Sequence, residues 1–276
     1  MPANRVLKTF KQIDLMKRTF NEYKDKYEFL AMERRDGILQ VRLTTNGGPW
    51  VFTNGAHSGL GYAFADIAAD RDNKVVIITG TGDVFCNSAV DSEVGYIFTH
   101  MTPQQVDEWY WDGKRFLAGL LKIEVPVITA INGPATIHGE IFMGGDIILA
   151  SDNATFQDAT HIPTGNVPGG DTQVIWEEIL GPVRHRYFQF AGQTLNAEEA
   201  LAFGVVNEVV PLEKLLPRAW EHAEKLIEIP ALTLRYSRIA MNQRLRKLVL
   251  NEAGAGMAYL GVSLLENYGQ FKEPVA

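Results

Sequence analysis

Lys74-Val75-Val76-Ile77-Ile78-Thr79-Gly80 is the stretch on which the fold turns. A short run of β-branched residues stopped by glycine is the pattern of a strand covered on both faces. The signal returns at Pro126-Val127-Ile128-Thr129-Ala130-Ile131 and at Asp146-Ile147-Ile148-Leu149-Ala150, while Ile38-Leu39-Gln40-Val41-Arg42-Leu43 alternates. Gly59 to Asp70 and Pro103 to Leu121 carry helical periodicity, and Pro103 with Asp107 and Glu108 marks a helix start. Strands alternating with helices predict an α/β architecture with crossover connections.

Outward from this core, Leu7 to Tyr27 places Phe10, Ile13, Met16, Phe20 and Tyr23 at helical spacing. We expect a helical extension over residues 1–28, an α/β core over 29–210 and a helical region over 211–276. In the last of these, Leu212 to Ile227 and Thr233 to Leu265 read as helical, broken at Pro211 and Pro230. Leu245, Leu248, Val249, Met257, Leu260 and Leu264 give this region more apolar surface than a lone exposed helix shows. Packing on the core and a subunit interface account for it equally.

The chain has 276 residues, 46% of them hydrophobic and 21% charged, as in an ordinary folded domain. Its one cysteine, Cys86, closes no intrachain disulfide, and the charged N-terminal segment lacks a signal-peptide block, so a cytoplasmic location is expected. No uninterrupted apolar run of about 18 to 20 residues suggests a membrane span. With net charge −7 and one small basic cluster, Arg244-Leu245-Arg246-Lys247, nucleic acid is not an expected partner. Small molecules and other protein chains are.

Gly80-Thr81-Gly82-Asp83-Val84-Phe85 opens like a dinucleotide fingerprint but places Phe85 where the third glycine belongs. Nucleophile-elbow and paired-cysteine zinc patterns are absent from the sequence. Three histidines stand among turn-forming residues at strand-to-helix boundaries, where open α/β sheets place ligands. They are His57 in TNGAHSGL, His138 in NGPATIHGE and His161 in DATHIPTGNVPGGD. Their separations fit no local metal-ligand spacing, so no metal is expected. Asp171, ten residues after His161, can fold back through a loop punctuated by Pro163, Gly165, Pro168, Gly169 and Gly170. A carboxylate on one ring nitrogen would fix the tautomer and leave the other nitrogen to take a proton from water. Capping the helix that begins at Thr172 is the bland role for Asp171, and the two are compatible.

The segments KVVIITGTGDVFCNSAVD, PVITAINGPATIHGEIFMGGDIILASDNATF, HIPTGNVPGGDTQ and LNAEEALAFGVVNEVVP occur in an order that resembles the crotonase superfamily, the enoyl-CoA hydratase/isomerase family. The resemblance implies a spiral of repeated ββα units, a C-terminal helical region used in trimerisation, often as a dimer of trimers, and an oxyanion hole of two backbone N–H groups. These donors would fall near Ala89 and near His138. Glu140 matches the first catalytic carboxylate of hydratases, while His161 stands in place of the second, and Thr136-Ile137-His138-Gly139 replaces the glycine triplet of CoA-binding members. Together with VFTNGAH and FQDATHIP, these departures resemble the β-diketone hydrolase branch. That branch cleaves a carbon–carbon bond of a cyclic β-diketone without CoA. A carboxylate expected in the C-terminal helix falls at Leu260, with Glu252 and Glu266 as neighbours.

The expected chemistry is therefore a retro-Claisen hydrolysis of an alicyclic diketone. His161, oriented by Asp171, would activate water, and His138, the N–H near Ala89 and His57 would meet the enolate. Trp50 and Phe52 would line the pocket, with no cofactor. A CoA-thioester hydratase, isomerase or hydrolase and a non-catalytic crotonase-fold scaffold are the alternatives.

Overall fold

The structure, a computed structural model, describes residues 17–89, 102–170 and 172–269. Its centre is a six-stranded sheet in the order β1-β2-β4-β6-β7-β10, formed by Leu30–Arg35, Ile38–Leu43, Val75–Thr79, Val127–Ile131, Ile147–Ser151 and Glu208–Val210. β1 and β2 make an antiparallel hairpin, and every other pairing in this sheet is parallel. Side chains alternate across a strand, so Val76 and Ile78 enter the larger core with Leu39, Val41, Val127 and Ile131. Val75 and Ile77 enter the opposite cluster with Ile38, Ile128, Ala130 and Leu149, closed by Leu215, Ala219 and Ala223 of the helix Leu212–Ile227. Two covered faces explain why β4 contains no exposed position.

β2, β4, β6 and β7 are each followed by a short strand or bridge and then by a helical segment. β2 leads into β3, Val51–Phe52, and the helix Asn54–Ala69. β4 leads into β5, Ser88–Ala89, which pairs with β3 ahead of the helix Pro103–Lys122. After β6 the short strand is reduced to a bridge at Ala135, and the helix to a 3-10 segment, Gly139–Gly144. β7 leads into β8, Thr155–Phe156, which pairs antiparallel with β9, Leu195–Asn196, and into the helices Thr172–Leu180 and Pro182–Phe190. Bridges from Cys86 to Ala135 and from Ala135 to Phe156 connect the short strands into a second layer. This is a spiral of repeated ββα units.

The helix boundaries follow local chemistry. Thr53 accepts a hydrogen bond from the Ala56 N–H, and Thr102 and Gln105 form a reciprocal capping box before Pro103.

The expected N-terminal helix does not extend through residues 17–27, and residues 1–16 lie outside those described. Phe20–Glu22 form a single 3-10 turn held by Thr19 and Glu22. Tyr23 and Tyr27 then dip inward to donate to Asp70 and Asp66.

At the other end, Ala231–Met241 and Gln243–Gly269 are separate helices that break at Asn242. The Gln243–Asn267 stretch is long and apolar enough, at mean hydropathy 1.4, to match a membrane span. That match is one of length and composition only. The helix places Val249, Ala253 and Met257 in the larger core.

Asn132, at the end of β6, ties two loops together. It accepts from the Gly80 N–H at 2.9 Å and donates to the carbonyls of Gly82 and Val84 at 2.8 and 3.0 Å. The turn that leads to Ala89 is thereby fixed against the loop that leads to His138. Asn132→Ala leaves all three backbone groups without this partner, and we expect a loss of about 2–4 kcal/mol in denaturant unfolding. A loss well under about 1 kcal/mol would show that the clamp adds little.

Candidate active site

The loops beyond the carboxyl ends of β2, β4, β6 and β7 converge on a cavity of about 340 Å³. His57 reaches it from the first turn of the helix Asn54–Ala69, with its ring 5.2 Å from that of Phe116 and 6.0 Å from that of Phe52. His138 occupies a left-handed conformation (φ 54°, ψ 29°) just before the 3-10 segment, and its ring lies 4.4 Å from Phe52. His161 is buried in the loop after β8, and its ring stands nearly perpendicular to that of His138 at 5.9 Å. Phe52, Ala89 and Glu140 also line the cavity.

Three expectations need correction or restriction. Trp50 is fully buried against Phe52 and Phe142 and does not line the cavity, so its role is packing. Asp171 lies outside the described residues, and the carboxylate on His161 is that of Asp158. Leu260 itself faces the cavity from the last helix, whereas Glu252 and Glu266 are exposed and do not line it. The cavity is apolar on that side.

Asp158 holds His161 through Nδ1, at 2.8 Å from Oδ1 and 3.0 Å from Oδ2. The Thr160 N–H and hydroxyl donate to the same Oδ1 at 3.2 and 3.0 Å, which fixes the carboxylate. A carboxylate accepts, so Nδ1 carries the proton and Nε2 is left with its lone pair. Glu140, also buried, lies 3.1 Å from His138 Nδ1 and accepts from the Thr172 hydroxyl at 3.1 Å.

These surroundings separate the histidines electrically. Burial, and then the neighbouring His138, push His57 down to about 4, so it is neutral near pH 7. Burial also opposes charge on His161, but the charge and hydrogen bond of Asp158, with Glu140 behind them, outweigh it and raise His161 above 6.5. Asp158 is correspondingly held low despite its burial by the His161 charge and its hydrogen bonds. Cys86 is buried, and burial together with the Glu140 charge pushes its thiol well up, as suits a structural cysteine. Among the described residues no group of three or more histidine, cysteine or acidic side chains is arranged to hold a metal ion.

The last helix and the loop after His161 form one wall of the cavity. A Cβ on Gly256 would stand 2.8 Å from the Gly170 nitrogen, so glycine is needed for helix and loop to meet this closely. Met257, Leu260 and Leu264 face the cavity from this helix.

The enoyl-CoA hydratase/isomerase family model matches residues 33–265. The chain belongs to this family. A β-diketone hydrolase from the cyanobacterium Anabaena sp., in a structure bound to (S)-3-oxocyclohexyl acetic acid, is 45% identical with TM-score 0.85, covering 89% of this chain and 97% of that one. Carnitinyl-CoA dehydratase from Escherichia coli is 28% identical over 87% of this chain and 89% of its own length. Short-chain-enoyl-CoA hydratase from Clostridium acetobutylicum is 32% identical over 67% and 69%. An enoyl-CoA hydratase/isomerase structure from Mycobacterium paratuberculosis, at 19% identity and TM-score 0.80, shares the fold.

For a member of this enoyl-CoA hydratase/isomerase family, the least expected feature is Asp158. The sequence carried a signal for it: Asp-x-x-His in DATHIP places a carboxylate three residues before the imidazole, within reach if the loop turns locally. Histidine-resolved NMR titration tests the pair directly. His161 should lose its proton above pH 6.5, while His57 stays neutral down to about pH 4. Asp158→Asn removes the charge that opposes burial and should move the His161 transition downward. A wild-type His161 titrating below 6.5 would contradict the electrostatic reading.

Proposed function

We propose that this chain hydrolyses a carbon–carbon bond of a cyclic or bicyclic β-diketone, giving a keto acid. The observation that carries this reading is the His161–Asp158 pair, closed at 2.8 Å beside a cavity that His57 and His138 also line. His161 Nε2 takes a proton from water, Asp158 stabilises the imidazolium, and the hydroxide adds to one carbonyl carbon. Collapse of the tetrahedral adduct breaks the bond to the central carbon, because the second carbonyl accepts the electron pair as an enolate. The neutral His57 and the backbone near Ala89 are the proposed donors to developing oxyanions.

The lining supports an uncharged substrate. Among the described residues it contains no lysine or arginine, and Phe52, Phe116, Trp109, Met257, Leu260 and Leu264 supply apolar walls. The Anabaena β-diketone hydrolase, 45% identical, was bound to a cyclic keto acid, the kind of product this reaction yields. Leu250, Tyr259, Val262 and Leu265 are exposed on the last helix and support a homotrimer or a dimer of trimers.

A CoA-thioester reaction is the second reading, favoured by Glu140 at the hydratase carboxylate position and by the 32% identical short-chain-enoyl-CoA hydratase. Turnover of bicyclic 1,3-diketones and titration with acyl-CoA separate the two. We expect diketone cleavage, and a fall of about 10²- to 10⁴-fold for His161→Ala. Wild-type activity should decline as pH falls through the raised His161 value, because the base must be neutral. Acyl-CoA binding without diketone turnover would favour the second reading, and near wild-type turnover by His161→Ala would remove His161 as the base.

A further inference from the structure

We propose that His138 and Glu140 form a second histidine–carboxylate pair, in which Glu140 positions His138 to carry the proton from the newly formed carboxyl group to the enolate carbon. The proposal rests on the β-diketone reading and assigns the protons that water activation by His161 leaves unassigned.

The geometry gives His138 a defined tautomer. Its Nδ1 lies 3.1 Å from Glu140 Oε1, and the buried carboxylate accepts there, so Nδ1 bears the proton. Nε2 of the neutral ring is then an acceptor and has nothing to donate until it gains a proton. Thr172 steadies Glu140 from the start of the following helix, at 3.1 Å on the same Oε1. Glu140 Oε2 has no hydrogen-bond partner among the described residues, so the polar contacts of this carboxylate are gathered on the oxygen that faces His138. The left-handed backbone at His138 (φ 54°) brings its side chain and that of Glu140, two residues later, to this contact.

The proton balance follows from the bonds broken. Water gives one proton to His161, and its hydroxide adds to a carbonyl carbon. When the carbon–carbon bond breaks, the electron pair leaves as the enolate and the attacked carbon becomes a carboxylic acid. The O–H proton of that acid passes to His138 Nε2, leaving a carboxylate, and the imidazolium formed is stabilised by Glu140. His138 then delivers the proton to the enolate carbon, which has just separated from the carboxyl carbon and is still beside it. His138 ends neutral, His161 releases its proton to solvent, and the sum is diketone plus water giving keto carboxylate plus one proton. This use of Glu140 differs from direct action on water, because it works through an imidazole.

The test is Glu140→Gln, with Glu140→Asp as the conservative variant, assayed on a prochiral bicyclic diketone. Glu140→Gln should lower kcat by about 10- to 10³-fold with little change in KM, and should reduce the enantiomeric excess of the keto acid, because an enolate not protonated by His138 takes its proton from solvent. Glu140→Asp should restore part of both. In ¹⁵N NMR without substrate, His138 should show an Nδ1–H tautomer in the wild type and lose it in Glu140→Leu, which removes the acceptor, a readout that does not depend on the reaction. Unchanged enantiomeric excess and kcat in Glu140→Gln would overturn the proton-carrying role, and an unchanged His138 tautomer in Glu140→Leu would overturn the pairing. If the wild type cleaves no diketone, the proton-carrying role falls together with the β-diketone reading, and the NMR result alone decides whether Glu140 sets the His138 tautomer.

Discussion

Parallel strands covered on both faces leave no room for chemistry along their length, and the rest of this structure depends on that constraint. β4, β6 and β7 give one set of side chains to the larger core and the other to the cluster beneath the helix Leu212–Ile227. Polar groups are displaced to the loops beyond the carboxyl ends of the strands. Ala89 follows β4, His138 and Glu140 follow β6, and His161 with Asp158 follows β7 and β8. Asn132 then fixes the loops after β4 and β6 relative to one another through backbone hydrogen bonds, so the groups they carry share one geometry.

Within the cavity, burial has opposite consequences for residues of one type. His57 lies among aromatic rings with no carboxylate bonded to it among the described residues, and desolvation keeps it neutral near pH 7. His161 is at least as buried, yet the charge and hydrogen bond of Asp158 reverse the outcome. A low-dielectric site strengthens a favourable partner as much as it penalises a missing one. His57 and His161 therefore take up protons in different pH ranges, each according to its neighbour.

The carboxylate beside His161 bears on what an imidazole can do in this cavity. An acid in place of the imidazole could protonate or deprotonate a substrate carbon directly. An imidazole backed by Asp158 is suited to making hydroxide from water near neutral pH. Met257, Leu260 and Leu264 form an apolar wall of the cavity, on a helix close enough to touch the Gly169-Gly170 backbone. Fold and chemistry are thus separately encoded, the first in the buried strands and the second in a few loop positions.

The β-branched runs at Val75–Thr79 and Val127–Ile131, the glycine and proline turns after them and the three loop histidines were legible in the sequence, because strand burial and turn chemistry are local and periodic. The pairing of those histidines was not. Turn residues after His161 pointed to Asp171, which lies outside the described residues, while Asp158, only three residues before His161, makes a bond to it through a local turn fixed by Thr160. Trp50 looked like a pocket residue, but it is fully buried against Phe142 and Phe52, and only Phe52 of the two lines the cavity. The sequence by itself determined the α/β spiral and which side chains could do chemistry. Only the tertiary structure decided which carboxylate meets which imidazole, because hydrogen bonds of about 3 Å depend on loop direction, and periodicity does not record that.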